Sequence, residues 1–182
     1  MSLEIILGPM FSGKSSHLLS IIHKYKAIKF PMFIITSAHD TRYKEGSIVN
    51  HNQESFPADV AVIVLDSIKT NTKFLEASVI IIEEAQFYPD LFSFVLDCVE
   101  VYEKNVIVAG LDGDVHRKPF GKILDLIPYC DSVIKLKALC KMCNDGTEAI
   151  FSSRREASAL VVDVGGADKY ESLCRDHYLA YN

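Results

Sequence analysis

Gly8-Pro-Met-Phe-Ser-Gly13-Lys14-Ser15 is the stretch on which the fold turns. It matches the pattern G-x-x-x-x-G-K-[ST] letter for letter. An apolar run, Leu3 to Leu7, precedes it, and Lys14 to Lys29 follows with Leu18, Leu19, Ile21, Ile22 and Tyr25 at helical spacing. The order is therefore strand, loop, helix. A phosphate cradle needs glycines where the backbone turns its N–H groups inward, a lysine for the β and γ oxygens, a hydroxyl for Mg²⁺ and a helix N-terminus behind them. Gly8, Pro9, Met10, Phe11, Ser12, Gly13, Lys14 and Ser15 supply these in order. The competing reading is a glycine-containing turn with a surface lysine.

Working outward, Met32 to Thr36, Val60 to Leu65, Val79 to Ile82 and Val106 to Ala109 are short runs rich in Val and Ile, as expected of strands buried on both faces. Val133 to Leu139 is a last strand candidate. Asp90 to Glu103 places Leu91, Phe94, Val95, Cys98 and Val101 on one helical face. The expected fold is α/β, a P-loop NTPase-like parallel sheet flanked by helices. The polar stretches from Ser37 to Asp59 and from Asp112 to Lys122 read as long loops at strand carboxyl ends, where such sheets bind ligands.

The metal that bridges phosphates needs a carboxylate from a neighbouring strand end, and Val79-Ile-Ile-Ile82 runs into Glu83-Glu84. In an extended strand these two point to opposite sides, one toward metal and one toward a phosphoryl acceptor. A solvated acidic strand end is the alternative. Asp40, Arg42 and Arg117 are positional candidates for a base and for transition-state cations; a lone loop arginine is otherwise a solvated charge.

The chain has 182 residues, enough for one main core with a small appendage. Apolar residues make up 49% and charged residues 24%, so the sequence has a core to bury and lacks a disordered composition. The net charge of −5 offers no general attraction to a polyanion, and the apolar runs fall well short of the roughly 18 residues of a membrane span. Neither nucleic acid nor a membrane is expected as a partner. The start lacks a signal-peptide pattern and the five cysteines are odd in number, pointing to a reducing, cytoplasmic setting, which for a viral chain is the host cytoplasm.

Cys140-x₂-Cys143, thirty residues, then Cys174-x₂-His177 has the spacing of a zinc ribbon. Four ligands close a tetrahedron, making the Zn²⁺ structural, and let a segment with too small a core fold. The alternative keeps only the cysteine pair and leaves His177 at the surface. Cys98 and Cys130 sit singly among apolar residues and read as core. The boundary falls near residue 139, giving a nucleotide-binding domain, 1–139, and a zinc-bearing domain, 140–182.

Together, Gly8 to Ser15, Asp40-Thr-Arg-Tyr43, Glu84-Ala-Gln-Phe87, Leu111-Asp-Gly113, Arg117-Lys-Pro-Phe-Gly121, Gly165-Gly-Ala-Asp-Lys-Tyr170 and the two ligand pairs resemble the zinc-containing thymidine kinases. These motifs span residues 8 to 177 in the family's order. The resemblance implies transfer of the γ-phosphoryl group of ATP to the 5′-hydroxyl of thymidine or deoxyuridine, with a zinc-bearing lasso closing over the base. It also implies a homotetramer with feedback by its end product, dTTP. Carried over by motif, Lys14 binds phosphate, Ser15 and Glu83 serve Mg²⁺, Glu84 is the base, and Arg42 is a phosphate-side cation. Asp40, Thr41, Ala85 and Gln86 continue the nucleotide side. Met10, Phe87, Leu111, Val115, Phe120 and Ser152 fall where the family packs against the base. Val161, Val162, Asp163, Val164 and Gly165, with Tyr170, fall where the lasso holds base and sugar. Four positions depart from the family's usual residues: Glu83 replaces aspartate, Ala85 glycine, Val115 phenylalanine and His177 cysteine.

Two other classes use the same parts. One is a nucleotide-dependent, nucleic-acid-binding module with a structural zinc ribbon; the charge from Cys140 onward, five basic against seven acidic side chains, argues against it. The other is a P-loop ATPase in which Glu84 activates water.

Overall fold

In chain order the first half contains β1 (Ser2–Leu7), α1 (Lys14–Ala27), β2 (Met32–Ser37), β3 (Ser47–Val49), β4 (Ser55–Pro57), β5 (Val60–Val62) and α2 (Thr72–Glu76). Then come β6 (Val79–Ile82), α3 (Leu91–Leu96), β7 (Asn105–Gly110) and β8 (Ser132–Lys135). The chain ends with β9 (Ala138–Leu139), β10 (Glu148–Ala149), β11 (Phe151–Arg154), β12 (Tyr170–Leu173) and α4 (Arg175–Tyr181). This computed structural model describes residues 1–39, 46–50, 52–155, 165–166 and 168–181. Asp40, Thr41, Arg42, Val161, Val162, Asp163 and Val164 lie outside the described residues.

Six strands form one sheet in the order β5-β2-β6-β7-β1-β8, every pairing parallel. The alternation of strand side chains divides each apolar run between two cores. Leu3, Ile5, Phe33, Ile35, Ile80, Ile82, Val106 and Val108 meet Phe74, Leu91, Phe94 and Leu126 on one face. Ile6, Ile34, Val79, Ile81 and Ile107 meet Leu18, Leu19 and Ile22 of α1 on the other. Burial on both faces is why these strands read as continuous apolar runs.

Four elements differ from the sequence expectation. Of Val60 to Leu65 only Val60–Val62 is strand; Ile63 and Val64 are exposed and Leu65 opens a 3₁₀ turn, Leu65–Ile68. The stretch from Ser37 to Asp59 is not only loop: β3 and β4 pair antiparallel, with Ile48 fully buried in the α1-side core. Asn50 closes their turn, its Oδ1 accepting from the N–H of Asn52 and Glu54, both at 3.0 Å. After α3 the helix widens into a π-turn, Asp97–Val101, which carries Val101 off the apolar stripe to 69% exposure. Val133 to Leu139 is not one strand. Ser132–Lys135 joins the parallel sheet, whereas Ala138 pairs with Ala149 and packs with Cys140, Cys174 and Tyr178.

Adjacent α2 residues provide a direct check on the core. Phe74 is fully buried, with Phe33 and Tyr102 edge-on at ring distances of 5.9 and 5.7 Å, whereas Leu75 is 49% exposed. In urea melts, Phe74→Ala is expected to cost about 3–5 kcal/mol and Leu75→Ala about 0.5 kcal/mol or less.

Candidate functional site

Registers fix which residues share the carboxyl edge of the sheet. Leu7 lies opposite Gly110 and Lys135, and Ile82 lies opposite Val108. Gly8 and Leu111 therefore emerge side by side from β1 and β7, with Glu83 leaving β6 on the same edge but two residues further back, level with Ala109. The carboxylates do not come from the strand adjacent to the cradle, as the sequence suggested, because β7 separates β6 from β1.

The loop between β1 and α1 is shaped by close approaches. A Cβ at Gly8 would lie 2.6 Å from both the Leu136 carbonyl and Ser12 Oγ, so only glycine fits. Phe11 and Gly13 are left-handed, at φ 66° and 85°. Gly13 caps α1 without a side-chain hydrogen bond, and no acidic residue occupies its first turn. The helix thus presents backbone N–H groups and the positive end of its dipole toward the loop. Ser12 Oγ is buried without a hydrogen-bond partner. An orphaned hydroxyl just before a helix N-terminus suits a phosphate oxygen. Lys14 Nζ donates to the carbonyls of Gly8 and Pro9 at 3.0 and 2.8 Å, folded over the same loop. Ser15 is the second residue of α1 and partly exposed.

Glu83 extends the parallel ladder one residue past β6, its N–H donating to Ile35 at 3.0 Å. The alternation therefore carries its side chain to the α1 face, where it is 6% exposed. Glu84 leaves the strand: its φ of 53° and ψ of 42° are left-handed, and a 3₁₀ turn, Ala85–Phe87, follows. The separation of the two carboxylates thus comes from a turn and not from strand alternation alone. Gln86, 3% exposed, holds this corner. Its Nε2 donates to Glu84 Oε2 at 2.6 Å, and its Oε1 accepts from the N–H of Leu111 at 2.9 Å. Gly110 and Gly121 leave room for it, since a Cβ at either would overlap Gln86 atoms. Tyr88, next along, has its phenol pushed well above the usual tyrosine range by burial and by the nearby Glu83 and Glu84 carboxylates.

The structure brings several proposed base-side residues together. Phe87 and Phe120 meet edge to face at 5.7 Å. The N–H of buried Met10 donates to Ser152 Oγ at 3.0 Å. Tyr170, in β12, is buried, and its hydroxyl accepts from Arg154 at 3.1 Å. Gly165 is half-buried beside Lys169. Val115 belongs to a tight turn organised by Asp114, a residue the sequence reading passed over. Asp114 Oδ1 accepts from the N–H of His116 and Lys118 at 2.8 and 2.9 Å. Arg117, a candidate cation in the sequence, instead lies against Phe151 and Tyr178, its guanidinium 5.6 and 4.8 Å from their ring centres.

The metal constellation assembles in full. Cys140 and Cys143 flank a knuckle closed by the Asn144 N–H on the Cys140 carbonyl at 3.2 Å. Cys174 and His177, three residues apart at the start of α4, share a face. The four ligand atoms lie within 4.8 Å of one another. Cys143 and Cys174 Sγ are 3.8 Å apart, and His177 Nδ1 is 3.6, 3.2 and 3.3 Å from the three sulfurs in chain order. A tetrahedron with zinc–sulfur bonds of about 2.3 Å has edges of about 3.8 Å, so these donors suit Zn²⁺ and leave no open position. Burial opposes ionisation of Cys140, yet backbone N–H groups of Cys174, Cys143 and Met142 lower its thiol to about 6. Cys143 shifts the other way, pushed up to about 11 by desolvation and by the neighbouring Cys140 and Cys174 thiols, so it is the convergence of the four donors that identifies the site. Of the cysteines outside the cluster, Cys98 is fully buried, its thiol pushed up to about 12 by desolvation, and Cys130 is partly buried against the same core.

Comparison with known proteins agrees with this geometry. The sequence model of the thymidine kinase family matches residues 1–178. A thymidine kinase of Yaba monkey tumor virus is 41% identical over 180 residues, covering 99% of this chain and 96% of the relative. The cytosolic thymidine kinase of Homo sapiens is 40% identical over 173 residues, covering 95% and 71%. Thymidine kinase a of Arabidopsis thaliana is 41% identical over 183 residues, covering 98% and 75%. No helix among the described residues is long and apolar enough to cross a membrane.

The cluster predicts about one zinc per chain by elemental analysis, lost in Cys143→Ser and released on acidification as the thiolates and imidazole take up protons. Retention of zinc in Cys143→Ser would remove that cysteine from the ligand set.

Proposed function

The chain belongs to the thymidine kinase family, and on that premise we propose that it transfers the γ-phosphoryl group of ATP to the 5′-hydroxyl of thymidine, and of deoxyuridine, giving the nucleoside monophosphate and ADP. The observation that carries this reading is the shared carboxyl edge, where the Gly8–Ser15 cradle, Glu83 and Glu84 meet the loop that follows β7.

In this proposal the amides of the cradle hold the triphosphate, and Lys14 exchanges its carbonyl partners for phosphate oxygens. Ser15 and Glu83 would hold Mg²⁺, which would supply neutralisation of phosphate charge. Glu84 accepts the proton of the 5′-hydroxyl as its oxygen bonds to the γ-phosphorus and the bond to the β–γ bridging oxygen breaks. Gln86 aims that carboxylate and ties it to the strand end at Leu111. Asp40, Thr41, Ala85 and Gln86 belong to the nucleotide side, with Arg42 a phosphate-side cation. Met10, Phe87, Leu111, Val115, Phe120 and Ser152 form the base wall, while Val161 to Gly165 and Tyr170 hold base and sugar.

Residues 140–182 act as a zinc-bearing lobe that closes over the nucleoside and excludes water from the transfer. The shorter Val115 wall, where the family has phenylalanine, leaves extra room beside the base. Assembly as a homotetramer, action in the cytoplasm and feedback by dTTP complete the proposal.

Glu84→Gln is expected to keep ATP binding and lower thymidine turnover by roughly 10² to 10⁴, the contribution of a positioned base. Unchanged turnover removes Glu84 from that role. Loss of ATP binding in parallel would instead place it among the nucleotide's holders.

A further inference from the structure

Val115 is tied to the zinc cluster by side chains that the proposed chemistry does not use. Tyr178 follows His177 on α4 and is buried, and its hydroxyl donates to the Val115 carbonyl at 2.6 Å across 63 positions of sequence. Its ring lies 4.9 Å from that of Phe151 in β11. The Arg117 guanidinium rests against both rings, 4.8 Å from Tyr178 and 5.6 Å from Phe151. Arg117 is held left-handed, at φ 62°, a conformation that its stacking helps to stabilise. The turn it belongs to closes on itself through Asp114 N–H to the Lys118 carbonyl at 2.9 Å and Arg117 N–H to the Asp114 carbonyl at 3.0 Å. A self-closed turn moves as a unit, so a contact at Val115 and another at Arg117 fix its height over the sheet edge.

The phosphate cradle is joined to the same lobe differently, through Met10 N–H on Ser152 Oγ and through Phe11, which packs against the zinc-side cluster. That cluster includes the Tyr178 ring, so the two attachments share apolar packing and differ in their hydrogen bonds, Met10 to Ser152 for one and Tyr178 to Val115 for the other. We infer that Tyr178 is a positioning residue for the nucleoside: with Arg117 stacked on it, it latches the Val115 turn to the zinc-fixed helix, coupling that helix to nucleoside affinity and not to ATP affinity. This inference rests on the reading of Val115 as part of the base wall.

Tyr178→Phe in the full chain deletes the O–H donor and keeps the ring stack. Zinc content should stay at about one per chain. The KM for thymidine should rise about three- to ten-fold, the range of one neutral hydrogen bond, while kcat and the KM for ATP stay within about two-fold. Hydrogen exchange should accelerate at the amides of residues 114–118 and not in β6. Arg117→Lys, which keeps charge and loses the planar stack, should raise the thymidine KM in the same direction. An unchanged thymidine KM with unchanged exchange overturns the latch. So does an equal rise in both KM values, or loss of zinc, either of which would assign Tyr178 to holding the lobe together. If the unaltered protein phosphorylates no thymidine, the proposed function fails, and exchange at 114–118 then decides the latch alone: acceleration supports it and no change overturns it.

Discussion

A parallel sheet sends every strand's carboxyl end to the same edge, and the site described here follows from that constraint. Residues as far apart in sequence as Gly8, Leu111 and Leu136 become neighbours because β1, β7 and β8 end level with one another, while β6 stops two residues short and sets Glu83 back from that line. The edge is crowded, which is why glycines stand at its tightest points. Leu136 approaches Gly8, and Gln86 fills the space that side chains at Gly110 and Gly121 would occupy. Gln86 then converts crowding into alignment by bonding both the Glu84 carboxylate and the Leu111 amide.

The C-terminal lobe meets a different constraint. Among the described residues its strands are two to four residues long and pair two by two, little surface for an independent core. Four converging ligands supply the missing cohesion and bring the knuckle and α4 together. The lobe also hydrogen-bonds to the parallel sheet's edge through Ser152 to the cradle and through Tyr178 to the Val115 turn. Contact with the sheet's edge and a convergent set of metal ligands are thus joined in one small structure.

Much of this was legible in the sequence because the signals were local. A glycine-bearing loop between an apolar run and an amphipathic helix, and cysteines in x₂ pairs, carry their meaning within a few residues. The β3–β4 hairpin was not legible, since Ile48 is the fully buried residue of a short segment otherwise polar in texture. The π-turn after α3 keeps helical composition while shifting the phase, so periodicity alone misplaced Val101. The apolar stretch to Leu139 hid a change of sheet at Leu136 and Lys137. Arg117 looked like a free loop cation, because its partners Phe151 and Tyr178 lie 34 and 61 residues away. Contacts of that range leave no periodic trace.

The proposed function requires the cradle and Glu84 to serve a nucleoside hydroxyl in preference to water. Incubating the zinc-loaded protein with γ-labelled ATP, Mg²⁺ and thymidine tests it most directly. The expected product is labelled thymidine monophosphate, formed one for one with ADP and absent when thymidine is omitted. Label appearing only as inorganic phosphate, at the same rate with or without thymidine, would contradict it.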